Sequence, residues 1–175
     1  MWGEIVADLA VGKALIGSGT PLAHDSVMPL FSSAKPITSV AIGALVDSGR
    51  LNFDDPVATH VPEFATHGKS NIQVRHLMNH TSGLADDALF DGGSSRAEVI
   101  AGICDSVPVS GWVPGDRAAY LPTAGWHMLG EVVERVSGSS FRSFVQSFVL
   151  DPLRMGDTYP VVGPTWLKGW APDLP

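Results

Sequence analysis

The clearest periodicity in the chain lies between Ser32 and Gly49, where Ile37, Val40, Ala41, Ala44 and Leu45 recur at helical spacing. Pro36 stands near the start, where a missing backbone N–H does no harm, and Gly49 stands where a C′ glycine ends a helix. The same apolar spacing predicts helices over Ile72 to His80, over Ser95 to Val107, over Gly125 to Ser137 ahead of Gly138, and over Phe141 to Leu150. Ser95 followed three residues on by Glu98 has the form of a capping box. Strand signals are few. Glu4 to Val11, short, apolar-rich and bounded by Gly3 and Gly12, suits one strand, and the Gly-rich Leu15 to Pro21 suits a turn. A lone strand needs a sheet partner, and the chain offers few other candidates. Between the helices lie loops: Leu51 to Phe64, rich in Asp, Pro and His; Ala85 to Ser95, rich in Asp and Gly; and the irregular Gly111 to Pro122. The tail from Tyr159 to Pro175 carries four prolines and reads as a loop or frayed end.

Composition sets bounds on this picture. At 175 residues, with 45% hydrophobic and 17% charged, the chain is about one globular domain long. A net charge of −7 and scattered lysines do not make a nucleic-acid surface, which needs clustered basic groups. Cys104 is the single cysteine, so there is no disulfide framework, and it reads as a small buried apolar side chain. No apolar run approaches the roughly 18 residues of a membrane-spanning helix. The acidic residues Glu4 and Asp8 stand where a secretory leader would carry a basic segment, so the expectation is a cytoplasmic protein, with the start of the chain open to truncation.

Chemistry enters at Ser32-Ser33-Ala34-Lys35. A hydroxyl and an amine three residues apart at a helix start share one face. Partial burial would lower the amine toward neutrality, and the helix N-terminus favours negative charge on an attacking oxygen. The pattern alone is weak, because Ser is also a preferred N-cap. His76 and His80 are four apart on one helix, yet no third ligand accompanies them, so no metal is expected. Asp54-Asp55-Pro56 reads as a turn rather than a carboxylate pair. Trp112, Trp126, Trp166 and Trp170 could line an acyl pocket, although Trp126, at helical spacing, reads more readily as core.

Taken together, Phe31-Ser32-Ser33-Ala34-Lys35-Pro36-Ile37-Thr38, Asp47-Ser48-Gly49-Arg50-Leu51, Asp54-Asp55-Pro56-Val57, Val61-Pro62-Glu63-Phe64 and His76 to Leu84 resemble the class C β-lactamase-like and penicillin-binding serine hydrolases. Pro114-Gly115, Tyr120, Leu129-Gly130-Glu131, Ser137-Gly138 and Asp151 to Thr158 extend the resemblance over nearly the whole chain. It implies an α+β fold of the β-lactamase/DD-peptidase type, here truncated and predominantly helical with few strands. It also implies a lead-in over 1–31, a helical region over 32–158 and a loop tail over 159–175. By the same resemblance Ser32 is the nucleophile, Lys35 its activator and Tyr120 the acid/base, with no cofactor. The penicillin-recognising Tyr-x-Asn is here Tyr120-Leu121-Pro122, as in the esterase and transesterase branch. The expected substrate is therefore a small carboxylic ester handled through an acyl-serine. The alternatives are a β-lactamase or D-alanyl-D-alanine carboxypeptidase acting on an amide, and a catalytically incomplete fragment or paralogue. The last stays open because no third motif follows Thr158 and a second oxyanion donor has no visible source.

Overall fold

The structure is a computed structural model, and it describes residues 4–26, 28–85 and 94–159. They form two compact units, one ending at Phe31 and the other beginning at Ser32.

The first unit holds a small antiparallel hairpin, β1 (Lys13–Leu15) and β2 (Thr20–Pro21), with Lys13 opposite Pro21 and Leu15 opposite Thr20. Gly19 closes the turn, its N–H donating to the Ile16 carbonyl at 3.3 Å. The strand expected over Glu4 to Val11 is not formed. That stretch runs without regular structure, and Ile5, Val6, Leu9 and Val11 are exposed. An apolar run becomes a strand only when a neighbour completes its ladder, and among the described residues the first unit offers it none. Strand structure falls instead on the two ends of the expected Leu15 to Pro21 turn, whose middle, Ile16 to Gly19, is the turn itself.

The second unit is helical: α1 (Lys35–Asp47), α2 (Val57–His60), α3 (Val74–Met78), α4 (Arg96–Asp105), α5 (Ala124–Ser137) and α6 (Phe141–Val145). α5 is the central element, burying Met128, Leu129, Val132 and Val133, and α1, α3, α4 and α6 all pack against it. α1 contributes Ala41, Ile42 and Leu45 to this core. Its end is a Schellman motif: Gly49 N–H donates to the Val46 carbonyl at 2.9 Å and Arg50 N–H to the Leu45 carbonyl at 3.0 Å. Gly49 has φ +70°, which only a residue without Cβ adopts freely.

α4 opens with the predicted capping box, Ser95 Oγ accepting Glu98 N–H at 3.3 Å while Glu98 Oε2 accepts Ser95 N–H at 2.6 Å. Its far end is held by Lys69, whose fully buried ammonium donates to the Cys104 carbonyl at 2.9 Å and to the Ser106 carbonyl. A cation at a helix C-terminus is favourable, and burial holds this amine below its usual range.

Glu131, buried on α5, is paired with Arg96 at 2.6 Å and Arg135 at 2.8 Å, and Arg135 reaches Glu63 at 2.6 Å. The loop expected over Leu51 to Phe64 in fact contains α2 and opens a 3-10 segment, Pro62–Gly68, both too short to show a helical period. The last predicted helix divides into α6 and a π-helical segment over Gln146–Leu150. Of the Asp- and Gly-rich loop and the proline tail, 86–93 and 160–175 lie outside the described residues.

Candidate active site

Ser32 sits in a 3-10 turn, Phe31–Ala34, that runs directly into α1, and Lys35 is the first residue of that helix. Lys35 Nζ donates to Ser32 Oγ at 3.1 Å. Tyr120, 88 residues further on, brings its phenolic oxygen to 2.6 Å from the same Oγ. The structure thus brings together the three residues picked from the sequence, with the serine oxygen between an amine and a phenol. Lys35 Nζ also lies 5.4 Å from the centre of the Tyr120 ring and 5.7 Å from that of Trp126, so aromatic faces flank the cation. Trp126 has two roles: it packs against the core at the start of α5 and walls the amine.

Tyr120 belongs to a stretch between α4 and α5 that has no helix or strand. Backbone groups with no ladder of their own must find partners elsewhere. They find them on the turn after α3. The Gly83 carbonyl accepts Val109 N–H at 2.9 Å, and the Thr81 carbonyl accepts both Gly115 N–H at 3.1 Å and the Trp112 indole N–H at 3.0 Å. The His80 carbonyl accepts Ala119 N–H at 3.0 Å. Gly83 is required here: its φ is +72°, and a Cβ would fall 2.2 Å from the Trp112 ring. A cavity of about 380 Å³ opens beside this contact, lined by Leu84, Val107, Val109, Trp112, Ala119 and Leu121. Trp112 is the one described tryptophan of the four singled out from the sequence that lines this cavity, and Trp166 and Trp170 lie outside the described residues.

The two histidines make different contacts. His76 Nδ1 accepts the Gln73 N–H at 3.1 Å, and His80 faces the Tyr120 ring, 4.9 Å between centres. Among the described residues no group of three or more His, Cys, Asp or Glu is placed to hold an ion, and no helix is long and apolar enough to cross a membrane. Asp54 and Asp55 are engaged separately, Asp54 with Arg75 at 2.8 Å and Asp55 with His60 at 3.1 Å, as befits a turn. What sequence reasoning did not reveal is how much of the site rests on the turn from His80 to Gly83, because main-chain bonds leave no mark on residue identity.

Residues 3–164 match the family model described as Beta-lactamase. The chain belongs to the beta-lactamase family. Within this family it is similar to Esterase EstB of Burkholderia gladioli, 32% identical over 173 residues, covering 89% of this chain and 44% of that protein. A family VIII carboxylesterase structure superposes with a TM-score of 0.71 at 26% identity, covering 83% of this chain and 40% of the other. The octameric penicillin-binding protein homologue of Pyrococcus abyssi superposes with a TM-score of 0.69 at 29% identity, covering 83% and 35%. This beta-lactamase family chain therefore spans less than half the length of these relatives, and its mostly helical body carries the Ser32-x-x-Lys35 segment at the start of α1.

Proposed function

We propose that this chain carries the acylation centre of a serine hydrolase or acyltransferase acting on carboxylic esters. Ser32 is the nucleophile, Lys35 its activator and Tyr120 the acid/base. The observation that carries the reading is the position of Ser32 Oγ, 3.1 Å from Lys35 Nζ and 2.6 Å from Tyr120 Oη. An ammonium only donates, so Lys35 takes up an acceptor site of Oγ and leaves the serine proton free to be given to the Tyr120 oxygen. The first step requires Tyr120 as its phenolate, with the Lys35 charge beside it: Oγ bonds to the ester carbonyl carbon as its proton passes to the phenolate oxygen, leaving Tyr120 a neutral phenol. The tetrahedral adduct then expels the alcohol, which takes the proton back from Tyr120, leaving an acyl-serine. Water or a second alcohol resolves this by the same exchange in reverse. The positive end of α1 and the Lys35 charge both favour the anionic stages.

Esters are favoured over β-lactams because the residue two after Tyr120 is Pro122, which has no side-chain amide to hold an acylamino group. EstB and the family VIII carboxylesterase, both named as ester-cleaving proteins, support the same preference. Labelling with a fluorophosphonate probe tests the assignment. Ser32 should be found modified by mass spectrometry and labelling should vanish in Ser32→Ala, whereas labelling that survives the substitution overturns the nucleophile. Turnover of nitrocefin ahead of p-nitrophenyl butyrate would overturn the substrate class.

A further inference from the structure

We infer that His80 is the positioning residue for Tyr120, through its ring nitrogen as well as its carbonyl. The inference rests on the acylation centre proposed above and adds to it a residue with no role there. His80 Nδ1 accepts the Leu121 N–H at 3.1 Å, and the His80 carbonyl accepts the Ala119 N–H at 3.0 Å. A single residue therefore holds the backbone on both sides of Tyr120. Its ring also lies against the phenol, 4.9 Å between centres, and against Trp126 at 5.8 Å, the same two rings that flank Lys35.

The backbone of His80 is unusual in a way that fits this task. Its φ is +62°, a left-handed value that a residue with a Cβ adopts uncommonly. In that conformation the carbonyl and the ring of one residue both reach the 119–121 backbone. A helix-terminating turn is more often made by Gly, yet Gly carries no side-chain acceptor. The bond from Leu121 also fixes the proton arrangement of the ring: an amide N–H only donates, so Nδ1 carries no proton. Tyr120 lies in a stretch without regular structure, so the bonds its neighbouring backbone makes to His80 bear directly on where its phenol sits. A displacement of about 1 Å between reacting groups costs on the order of 100-fold in rate.

The test separates geometry from bulk. Asn at this position keeps an acceptor oxygen close to where Nδ1 lies and tolerates the left-handed backbone, whereas Phe keeps a ring but offers no acceptor. In the full chain, Ser32 acylation by a fluorophosphonate should fall about 100-fold in His80→Phe and stay within a few-fold of wild type in His80→Asn. A readout independent of chemistry uses Tyr159→Phe, which leaves Tyr120 as the single tyrosine of the chain. With 3-fluorotyrosine incorporated, the fluorine resonance of Tyr120 should shift in the His80→Phe background and hold its position with His80→Asn, and exchange of the Leu121 amide should accelerate only with Phe. If His80→Phe leaves the resonance and the Leu121 exchange unchanged, the positioning role is overturned whatever the enzymology shows. If the resonance behaves as expected but wild type is never acylated, the proposed function fails and the positioning of Tyr120 stands.

Discussion

At the scale of single residues, the site depends on side chains that are close in space for different reasons. Ser32 and Lys35 meet because they are three apart at a helix start, a proximity that residue spacing alone encodes. Lys35→Ala should slow acylation by about 100- to 10,000-fold while the protein still melts near the wild-type temperature, since Ala is well tolerated at a helix start; an unchanged rate in stopped-flow acylation would assign activation to another group. Tyr120 is different. Its contact with Ser32 crosses 88 residues, and family resemblance rather than any local pattern singled it out. Cys104 illustrates a residue whose reading from composition was sufficient: it is buried, and desolvation pushes its thiol above the ordinary range. Iodoacetamide should leave it unmodified in the native protein and alkylate it in guanidinium; rapid native alkylation would contradict the buried placement.

At the scale of elements, legibility follows from whether an element carries its own determinants. α1, α4 and α5 do, with caps and apolar periods visible in the chain, and all three stand close to their predicted positions. Ser95→Ala removes one half of the α4 capping box and should cost about 1 kcal/mol, a fall of several degrees in melting temperature. The Glu4–Val11 strand did not form because a strand is completed by another strand, and α2 escaped notice because four residues show no period. α3 carries a pH dependence. Burial, chiefly, and the Arg75 charge hold the His76 imidazole below its ordinary value of 6.5, with Asp54 opposing. The unfolded chain therefore takes up this proton first. The associated stability is intact above about pH 6.5 and declines as the pH falls toward the depressed native value. The drop in melting temperature between pH 7.5 and 5 should be smaller in His76→Asn, which keeps an acceptor for the Gln73 N–H; equal drops would show that His76 does not contribute.

At the scale of the whole molecule, one side of α1 stands out. Val40 is 50% exposed and Phe53 38%, and with Gly43, Ala44 and Val46 they line an open groove of about 420 Å³. Full burial of a large apolar side chain is worth about 1.5–3 kcal/mol, and these two, about half exposed, forgo roughly half of that each. The 175-residue chain on its own should therefore melt at low temperature and bind anilinonaphthalene sulfonate, with Val40→Gln lowering the dye signal; a high, cooperative melt without dye binding would refute this. The turn from His80 to Gly83 has a different molecular consequence. It grips the Tyr120 stretch through its carbonyls and the His80 ring, and the side chains of Asp116, Arg117 and Ala118 between the grip points are exposed. Arg117 stacks on the Trp112 ring at 4.4 Å, whereas the identities of Asp116 and Ala118 are decoupled from the geometry of the proposed site. A library randomised there should remain largely functional while its members diverge in what they accept, so that selectivity can evolve over a fixed chemical engine.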